Sequence, residues 1–409
     1  PAFRREVALC SRTRPEVLTK MNSPWKQVIS RSQVPETVED GPVLNWEPPV
    51  FSLEEAGKAK EYLDTHGVVV FGNIITPDLA QRYSEALWKW MAYETNSVVR
   101  PDDPSSWESH IWPPSNMGIY AHDGLAHILE AWEIREATAP CWEAIYETNE
   151  LLTSFDGANL MRPTRDPGRP EYETRRNWLH VDSDGHIPRE QSGYQGVVSV
   201  SGMDGTQGTG GCLQVVPESH KQDFDEFMAA NEPTEGAYFT PVPQGHPLRQ
   251  RMRRLIQPDR SFAIWKNETF HCNSPNGSDI FRIAQYVNMY PASQVPADVI
   301  AARINYFAVG RGTTHWVHHI HQSTGRMFAP RLALAVTRRS DSLATASALS
   351  RRTSLLGDTS CSVAMQRSGA QSDTLALDSL CYRIQAVAAA TAEQNAQDEE
   401  KDKLIGLVS

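Results

Sequence analysis

Two histidines and one aspartate stand at positions from which they could bind a single metal ion. His180 and Asp182 flank one residue in an HxD tripeptide, and His271 follows Asp182 by 89 residues. In an extended segment, residues two apart project to the same side, so the imidazole and the carboxylate of the tripeptide can converge. Two imidazoles and one carboxylate leave three positions of a metal open, which suits Fe(II) enzymes that activate O2. A chelating 2-oxo acid would take two of these positions and O2 the third.

One arginine extends this pattern. Arg282 follows His271 by eleven residues and begins the run 282–286, which predicts a strand. Its guanidinium could form two parallel hydrogen bonds to a carboxylate of the 2-oxo acid, a contact worth about 1.5–3 kcal/mol. Each residue alone is a weak signal, because HxD tripeptides occur by chance and a buried histidine or a strand arginine usually has a structural role. The order of the four residues along the chain is what favours a shared site.

Two segments resemble the phytanoyl-CoA dioxygenase family. Residues 211–221 are similar to the family's GCL-x-VVPGSH stretch, with Glu218 in place of the usual glycine. Residues 270–276, followed by Phe281-Arg282, are similar to the family's segment in which a histidine precedes an asparagine and then an arginine. The resemblance covers roughly residues 51–291, and it is strongest in these two segments.

The resemblance implies a role for each residue of the pattern. His180, Asp182 and His271 would bind Fe(II), and Arg282 would bind the distal carboxylate of 2-oxoglutarate. Asn273 occupies the position at which relatives often place a small polar residue that assists the same carboxylate. Related halogenases replace the carboxylate at position 182 by glycine or alanine, so its presence favours hydroxylation. The implied reaction uses O2 to convert 2-oxoglutarate to succinate and CO2 and hydroxylates a small-molecule or acyl substrate.

Several neighbouring residues admit two interpretations. Trp178 could line the substrate or co-substrate site, and a core aromatic is an equally good interpretation. Asp184 and His186 could be a rival ligand pair, but hydrogen bonds that orient the ligands are the favoured interpretation. Cys272 is interpreted as a small buried residue and not as a nucleophile, because no activating histidine and third group accompany it.

Four further histidines stand at positions 315, 318, 319 and 321. A second metal site is one interpretation, since imidazoles bind transition metals readily. A loop that packs its aromatic side chains onto the core is the favoured interpretation, because no carboxylate or cysteine stands at a suitable spacing from these histidines.

The elements that must position the pattern are short β-runs. Between about residues 155 and 291, apolar runs alternate with Gly, Pro, Asp and Asn, which predicts many short strands. We therefore expect a mainly β, α+β protein whose core is a double-stranded β-helix, that is, a cupin-like jelly roll. The clearest predicted strands are 196–201, 212–216, 261–265 and 281–289.

An N-terminal helical layer should pack on this core. Ser52 and Glu55 have the spacing of a capping box, and the helix that follows should run to about Thr65. His66-Gly67 should end that helix, and Pro77 should open a second one.

The predicted organisation has five parts. Residues 1–50 form a loosely ordered lead-in, and residues 51–337 form the oxygenase domain. Residues 338–374 are rich in Ser, Thr and Arg, contain no aromatic residue and should be disordered. Residues 375–403 follow helical spacing and could form an amphipathic helix, and residues 404–409 form a tail.

Composition narrows the partners and the location. The net charge is −11 and the pI is about 5.7, so no nucleic-acid partner is expected. No run approaches ~18 consecutive apolar residues, so we expect no membrane span. Six scattered cysteines favour a reducing compartment, and neither a secretory signal nor a Ser-Lys-Leu type ending is visible, which makes the cytoplasm the expected location. The oligomeric state is not predicted.

Two other functions are compatible with the residues alone. The main alternative is a cupin-like metal-binding or regulatory module without turnover. A cupin-type hydrolase or isomerase that uses another divalent metal is a weaker one, since such chemistry needs no carboxylate-binding arginine at the position of Arg282.

Overall fold

The computed structural model of the chain describes residues 43–120, 123–165, 168–183, 189–204, 210–231, 239–308 and 310–319. The predicted linker 338–374, the predicted helix 375–403 and the tail 404–409 lie outside the described residues. Residues 1–42 of the predicted lead-in lie outside them as well.

The α-helices of the described residues alternate with the strands along the chain, and α7 alone follows the last strand. They are α1 (Ala56–His66), α2 (Pro77–Glu94), α3 (Asp123–Ala126), α4 (Leu129–Tyr146), α5 (Arg189–Ser192), α6 (Gln222–Ala230) and α7 (Ala297–Ala308).

Local signals explain where the first two helices begin and end. Ser52 and Glu55 form the predicted capping box at a single 3-10 turn that leads into α1. Gly67 ends α1 with φ +81°, a left-handed conformation that glycine adopts without strain. The side chain of Thr76 accepts a hydrogen bond from the backbone N–H of Leu79 at the start of α2, where Pro77 is the first residue. The predicted starts and the predicted end of α1 are confirmed.

The strands of the described residues are short, as predicted. They are β1 (Leu44–Trp46), β2 (Val50–Phe51), β3 (Val68–Phe71), β4 (Ile119–Tyr120), β5 (Leu151–Thr153), β6 (Ala158–Met161), β7 (His180–Val181), β8 (Tyr194–Ser201), β9 (Leu213–Val215), β10 (Thr240–Pro241), β11 (Arg253–Leu255), β12 (Phe262–Lys266), β13 (His271–Asn273), β14 (Arg282–Tyr286) and β15 (Met289–Pro291).

Within the described residues these strands form three sheets. A six-stranded sheet has the order β1-β11-β9-β13-β7-β10, a seven-stranded sheet has the order β2-β3-β12-β8-β14-β6-β4, and β15 pairs with β5. Strand β1 is parallel to β11 and β2 is parallel to β3, whereas the other described pairs are antiparallel. The protein is therefore a mixed α+β structure dominated by β-sheets.

The two faces of the seven-stranded sheet pack against different layers. Because side chains alternate along a strand, Val68 and Val197 point to one face, where they form a core with Leu213 and Val215 of the six-stranded sheet. Their neighbours Val69 and Val198 belong to a second core, which includes buried side chains of helices α1, α2 and α4. The seven-stranded sheet thus lies between the helices and the six-stranded sheet.

Two strands include residues of the predicted lead-in 1–50. Strand β1 pairs with β11, and β2 pairs with β3. Backbone hydrogen bonds hold these two strands to β11 and β3. A strand of two or three residues is too short to be recognised from the alternation of its side chains. No helix in the described part of the chain combines the length and the apolar character needed to cross a membrane.

Candidate metal centre

The two predicted histidine ligands face each other across neighbouring strands. His180 begins β7 and His271 begins β13, and the antiparallel pairing of these strands places the two residues directly opposite each other. Their ring centroids are 4.4 Å apart. Asp182 follows β7, with Oδ1 3.4 Å from Nε2 of His180 and Oδ2 3.2 Å from Nε2 of His271. The HxD tripeptide and the distant histidine therefore converge at one point.

The arrangement of donor atoms suits a single ion. Potential ligand atoms of His180, Asp182 and His271 all lie within 4.8 Å of one another, and the three residues are only 4–7% exposed. Atoms bound to one first-row metal at about 2.1 Å are themselves roughly 3–4 Å apart. Among the residues that the structure describes, this is the only group of three or more His, Cys, Asp or Glu side chains placed in this way.

Backbone carbonyls orient both imidazoles. Nδ1 of His180 lies 3.2 Å from the carbonyl oxygen of Trp178, and Nδ1 of His271 lies 2.9 Å from that of Thr269. A carbonyl oxygen only accepts hydrogen bonds, so Nδ1 carries the proton in each ring. The lone pair of Nε2 is then available to a metal, which is the usual arrangement of metal-binding histidines.

The carboxylate of Asp182 is held as an anion by its surroundings. Burial alone would raise its pKa, but without a metal the attraction of the imidazoles in their protonated form, His180 before His315 and His271, holds the pKa well below its usual range. The side-chain amide of Gln195, on β8, donates a hydrogen bond to Oδ2. Gln195 was not predicted from the sequence, because its strand belongs to the other sheet.

Aromatic rings surround the two imidazoles. The indole of Trp178 stacks on His180 at 4.9 Å between centroids, and the ring of Phe239 meets His180 edge-on at 5.6 Å. The indole of Trp265 lies 5.2 Å from the ring of His271. Trp178 therefore borders the candidate metal centre and also packs against an apolar core.

Arg282 is buried without an acidic partner. The residue is fully buried, and no described carboxylate lies within ion-pair distance of its guanidinium. Its Nη2 donates to Oδ1 of Asn273 at 3.3 Å, and Nδ2 of Asn273 donates to the hydroxyl of Tyr286 at 3.2 Å. Nε of Arg282 is buried and has no hydrogen-bond partner in the described part of the chain. A buried cation with unused donors is a site for an anion.

Strand β13 places this cation near the metal centre, and Gly211 leaves space for it. Asn273 lies two residues after His271 on the same strand, so the two side chains share one face about 7 Å apart. Gly211 leaves room for the arginine, because a Cβ at that position would lie 2.7 Å from Cδ of Arg282. The need for space beside Arg282 therefore explains why a glycine begins the segment 211–221.

His315 reaches the metal centre from outside the predicted core. Its Nε2 lies 4.0 Å from Oδ1 of Asp182. His318, from the same histidine run, instead stacks on Tyr290 at 4.2 Å. The packing interpretation therefore fits His318 but not His315, and the described residues form no second metal site.

The remaining candidates add little to the site. Asp184, His186 and His321 lie outside the described residues. Cys272 is buried on the opposite face of β13 from His271, in an apolar cluster, and its Sγ lies 3.2 Å from Oε1 of Gln214. Tyr286 was missed in the sequence, although it lies four residues after Arg282 and therefore on the same face of β14.

Comparisons with known proteins give distant similarities. No family model matches this sequence. The Ava biosynthesis cluster protein O of Aspergillus versicolor is 24% identical over 297 residues, which are 66% of this chain and 92% of that protein.

The solved structures that this chain matches include SnoN and EctD. The epimerase SnoN, crystallised with Fe3+, alpha ketoglutarate and nogalamycin RO, is 13% identical with a TM-score of 0.40, and the match covers 58% of this chain and 84% of SnoN. EctD from S. alaskensis with bound Fe is 14% identical with a TM-score of 0.39, covering 62% of this chain and 83% of EctD. Similarities of this size do not assign the chain to a family.

Proposed function

We propose that this protein is an Fe(II)- and 2-oxoglutarate-dependent dioxygenase that hydroxylates a small-molecule or acyl substrate. The observation that carries the proposal is the buried convergence of His180, Asp182 and His271 beside a buried arginine that has no acidic partner among the described residues. We further propose that the two sheets form a jelly roll, with its core in about residues 155–291 of a domain spanning 51–337, and that the chain is related to the phytanoyl-CoA dioxygenases.

Iron fits the donor set of the site. Two imidazole nitrogens and one carboxylate oxygen suit Fe(II) and leave three positions for exogenous ligands. Bound iron would supply the oxidative decarboxylation of 2-oxoglutarate and the transfer of one oxygen atom of O2 to a substrate C–H bond. The protein provides the two Nε2 lone pairs, the anionic Asp182 and the Gln195 amide that fixes its carboxylate.

The residues of the site match the two ends of 2-oxoglutarate. Its 2-oxo acid end would occupy the open positions, and its distal carboxylate would meet the guanidinium of Arg282. Asn273 accepts a hydrogen bond from that guanidinium, and the hydroxyl of Tyr286 accepts one from Asn273. The hydroxyl of Tyr286, beside Asn273, would offer a further contact to that carboxylate. The indole of Trp178, stacked on His180, would restrict the access of water to the 2-oxo acid end of 2-oxoglutarate.

The class of substrate rests on charge and on the fungal relative. A net charge of −11 opposes binding to nucleic acid. The relative's name assigns it to a biosynthesis cluster, which supports a small organic substrate for this chain. We also keep the cytoplasm as the proposed location.

Anaerobic titration with Fe(II) and 2-oxoglutarate tests the proposal. The wild-type chain should show a weak metal-to-ligand charge-transfer band, and His271→Ala should lose it. His110→Ala is the matched control, because this histidine side chain is 74% exposed and lies outside the site. No band in the wild type, or an unchanged band in His271→Ala, would refute the proposal.

Turnover is measured separately as succinate release across a panel of small molecules. Tight metal and 2-oxoglutarate binding with no substrate-stimulated succinate would instead support the metal-binding or regulatory module.

A further inference from the structure

His315 has an unused hydrogen-bonding atom at the metal centre. Its Nε2 is buried, makes no hydrogen bond within the described residues, and lies 4.0 Å from Oδ1 of Asp182. Buried polar atoms in proteins nearly always have a partner. An unpartnered nitrogen that faces a metal centre therefore indicates a partner that is bound there from solution.

The chain on both sides of His315 is anchored to the body of the protein. The backbone N–H of Thr313 donates to the carbonyl of Phe155 at 2.9 Å, and the N–H of Phe155 donates to Oγ1 of Thr313 at 2.8 Å. Beyond His315, the carbonyl of Val317 accepts a hydrogen bond from Arg303 at 3.4 Å. These contacts hold the imidazole against the site, so its position does not depend on its own side-chain interactions.

His315 is placed beside the metal ligands and is not one of them. The group of donor atoms that lie within 4.8 Å of one another comprises His180, Asp182 and His271, and His315 is not part of it. A fourth protein ligand would also leave only two open positions, which is one fewer than a chelating 2-oxo acid and O2 require. Hydrogen-bond donation to a molecule on the metal is the role that this placement allows.

We propose that Nε2–H of His315 donates a hydrogen bond to an anionic ligand at the open positions of the metal. The identity of that ligand rests on the proposed function, in which it is the carboxylate of 2-oxoglutarate nearest the metal. His315 and Arg282 then hold opposite ends of one dicarboxylate. A neutral imidazole makes this contact without gaining or losing a proton, since Nε2 donates in one of its two tautomers.

Cobalt(II) and two anions test this role in the full chain. The affinity for Co(II) is measured by competition with a chelator, and the affinities of the Co(II) protein for 2-oxoglutarate and for azide are measured by visible absorption. We expect His315→Phe to leave the Kd for Co(II) unchanged and to raise the Kd for each anion about tenfold or more. His315→Gln should restore part of the anion affinity, because its amide also donates, and His110→Gln should change none of these values.

Three outcomes would overturn the inference. A loss of Co(II) affinity in His315→Phe would make the histidine a metal ligand or a support for Asp182. Unchanged anion affinities in His315→Phe would show that the histidine lines the site without binding the anion. Anion affinities no higher in His315→Gln than in His315→Phe would exclude hydrogen-bond donation.

If the wild type binds azide but not 2-oxoglutarate, the proposed function fails and the azide affinities alone decide the role of His315. Should phenylalanine prevent folding, His315→Ala gives the same comparison.

Discussion

A methyl group at position 211 is expected to displace the guanidinium that we propose binds 2-oxoglutarate. A Cβ on Gly211 would lie 2.7 Å from Cδ of Arg282 and 3.0 Å from Sδ of Met161. Carbon atoms in contact are usually about 3.5–4.0 Å apart, so the arginine must shift by roughly 1 Å. Full burial leaves it little space for that shift. The paired hydrogen bonds at stake are worth about 1.5–3 kcal/mol, so Gly211→Ala should raise the Kd for 2-oxoglutarate about 10- to 100-fold.

The assay is the anaerobic titration of the Fe(II) protein with 2-oxoglutarate, followed by the charge-transfer band. Gly57→Ala is the matched control, because a Cβ at this exposed position of α1 meets no atom within 4 Å. It should leave the Kd unchanged and stabilise the helix by about 0.5–1 kcal/mol. The affinity for Fe(II) alone should be the same in both variants. A Kd for 2-oxoglutarate in Gly211→Ala equal to that of the wild type, in a folded protein, would show that Arg282 does not bind the co-substrate.

Three further predictions concern metal affinity, packing and pH. Gln195→Leu should weaken Fe(II) binding about 10- to 100-fold in chelator competition, because it removes the hydrogen bond that orients Asp182; equal affinity would contradict this. Leu63→Ala should lower the free energy of unfolding by about 2–5 kcal/mol, since Leu63 is fully buried, whereas the same change at the 39%-exposed Leu53 should cost under about 0.5 kcal/mol in urea titrations. Burial lowers the pKa of His127 to about 4. Between pH 6.5 and 4 the unfolded chain therefore binds a proton that the folded chain does not, and stability falls as the pH falls. From pH 7 to 5 this loss is about 2 kcal/mol, and the total loss of stability over this range should be smaller by that amount in His127→Gln.

The sequence was most informative where neighbouring residues determine the structure. The predicted strands 196–201 and 261–265 correspond closely to β8 and β12, because each contains a short apolar stretch that is buried on both faces. The run 281–289 was less accurate, since it divides into β14 and β15. Asn288 lies at the division, where its N–H donates to Ser154 and its side chain accepts from the backbone of Gly196. Such contacts between distant residues have no local signature.

The residues of the candidate site likewise divide into those with a local sequence signal and those without one. The three proposed metal ligands could be predicted because two lie in one tripeptide and the third belongs to a recognisable segment. Gln195 and His315 could not, since they reach Asp182 from the other sheet and from the segment after α7, and no spacing rule relates these positions. The position of Tyr286 could have been predicted, because side chains alternate along β14 and place Tyr286 on the same face as Arg282.

Strand β13 explains why the metal and co-substrate positions are coupled. His271 and Asn273 share one face of this strand, and Cys272 points to the apolar cluster behind it. The strand pairs with β7 on one side and with β9 on the other, so its register is fixed from both sides. A slip of one residue would exchange the two faces and remove both polar side chains from the site together. Of the described side chains around Asp182, His315 alone comes from a segment without a helix or strand. Loops of this kind vary most readily between related proteins, so this segment is where we expect the preference for a particular ligand to be set.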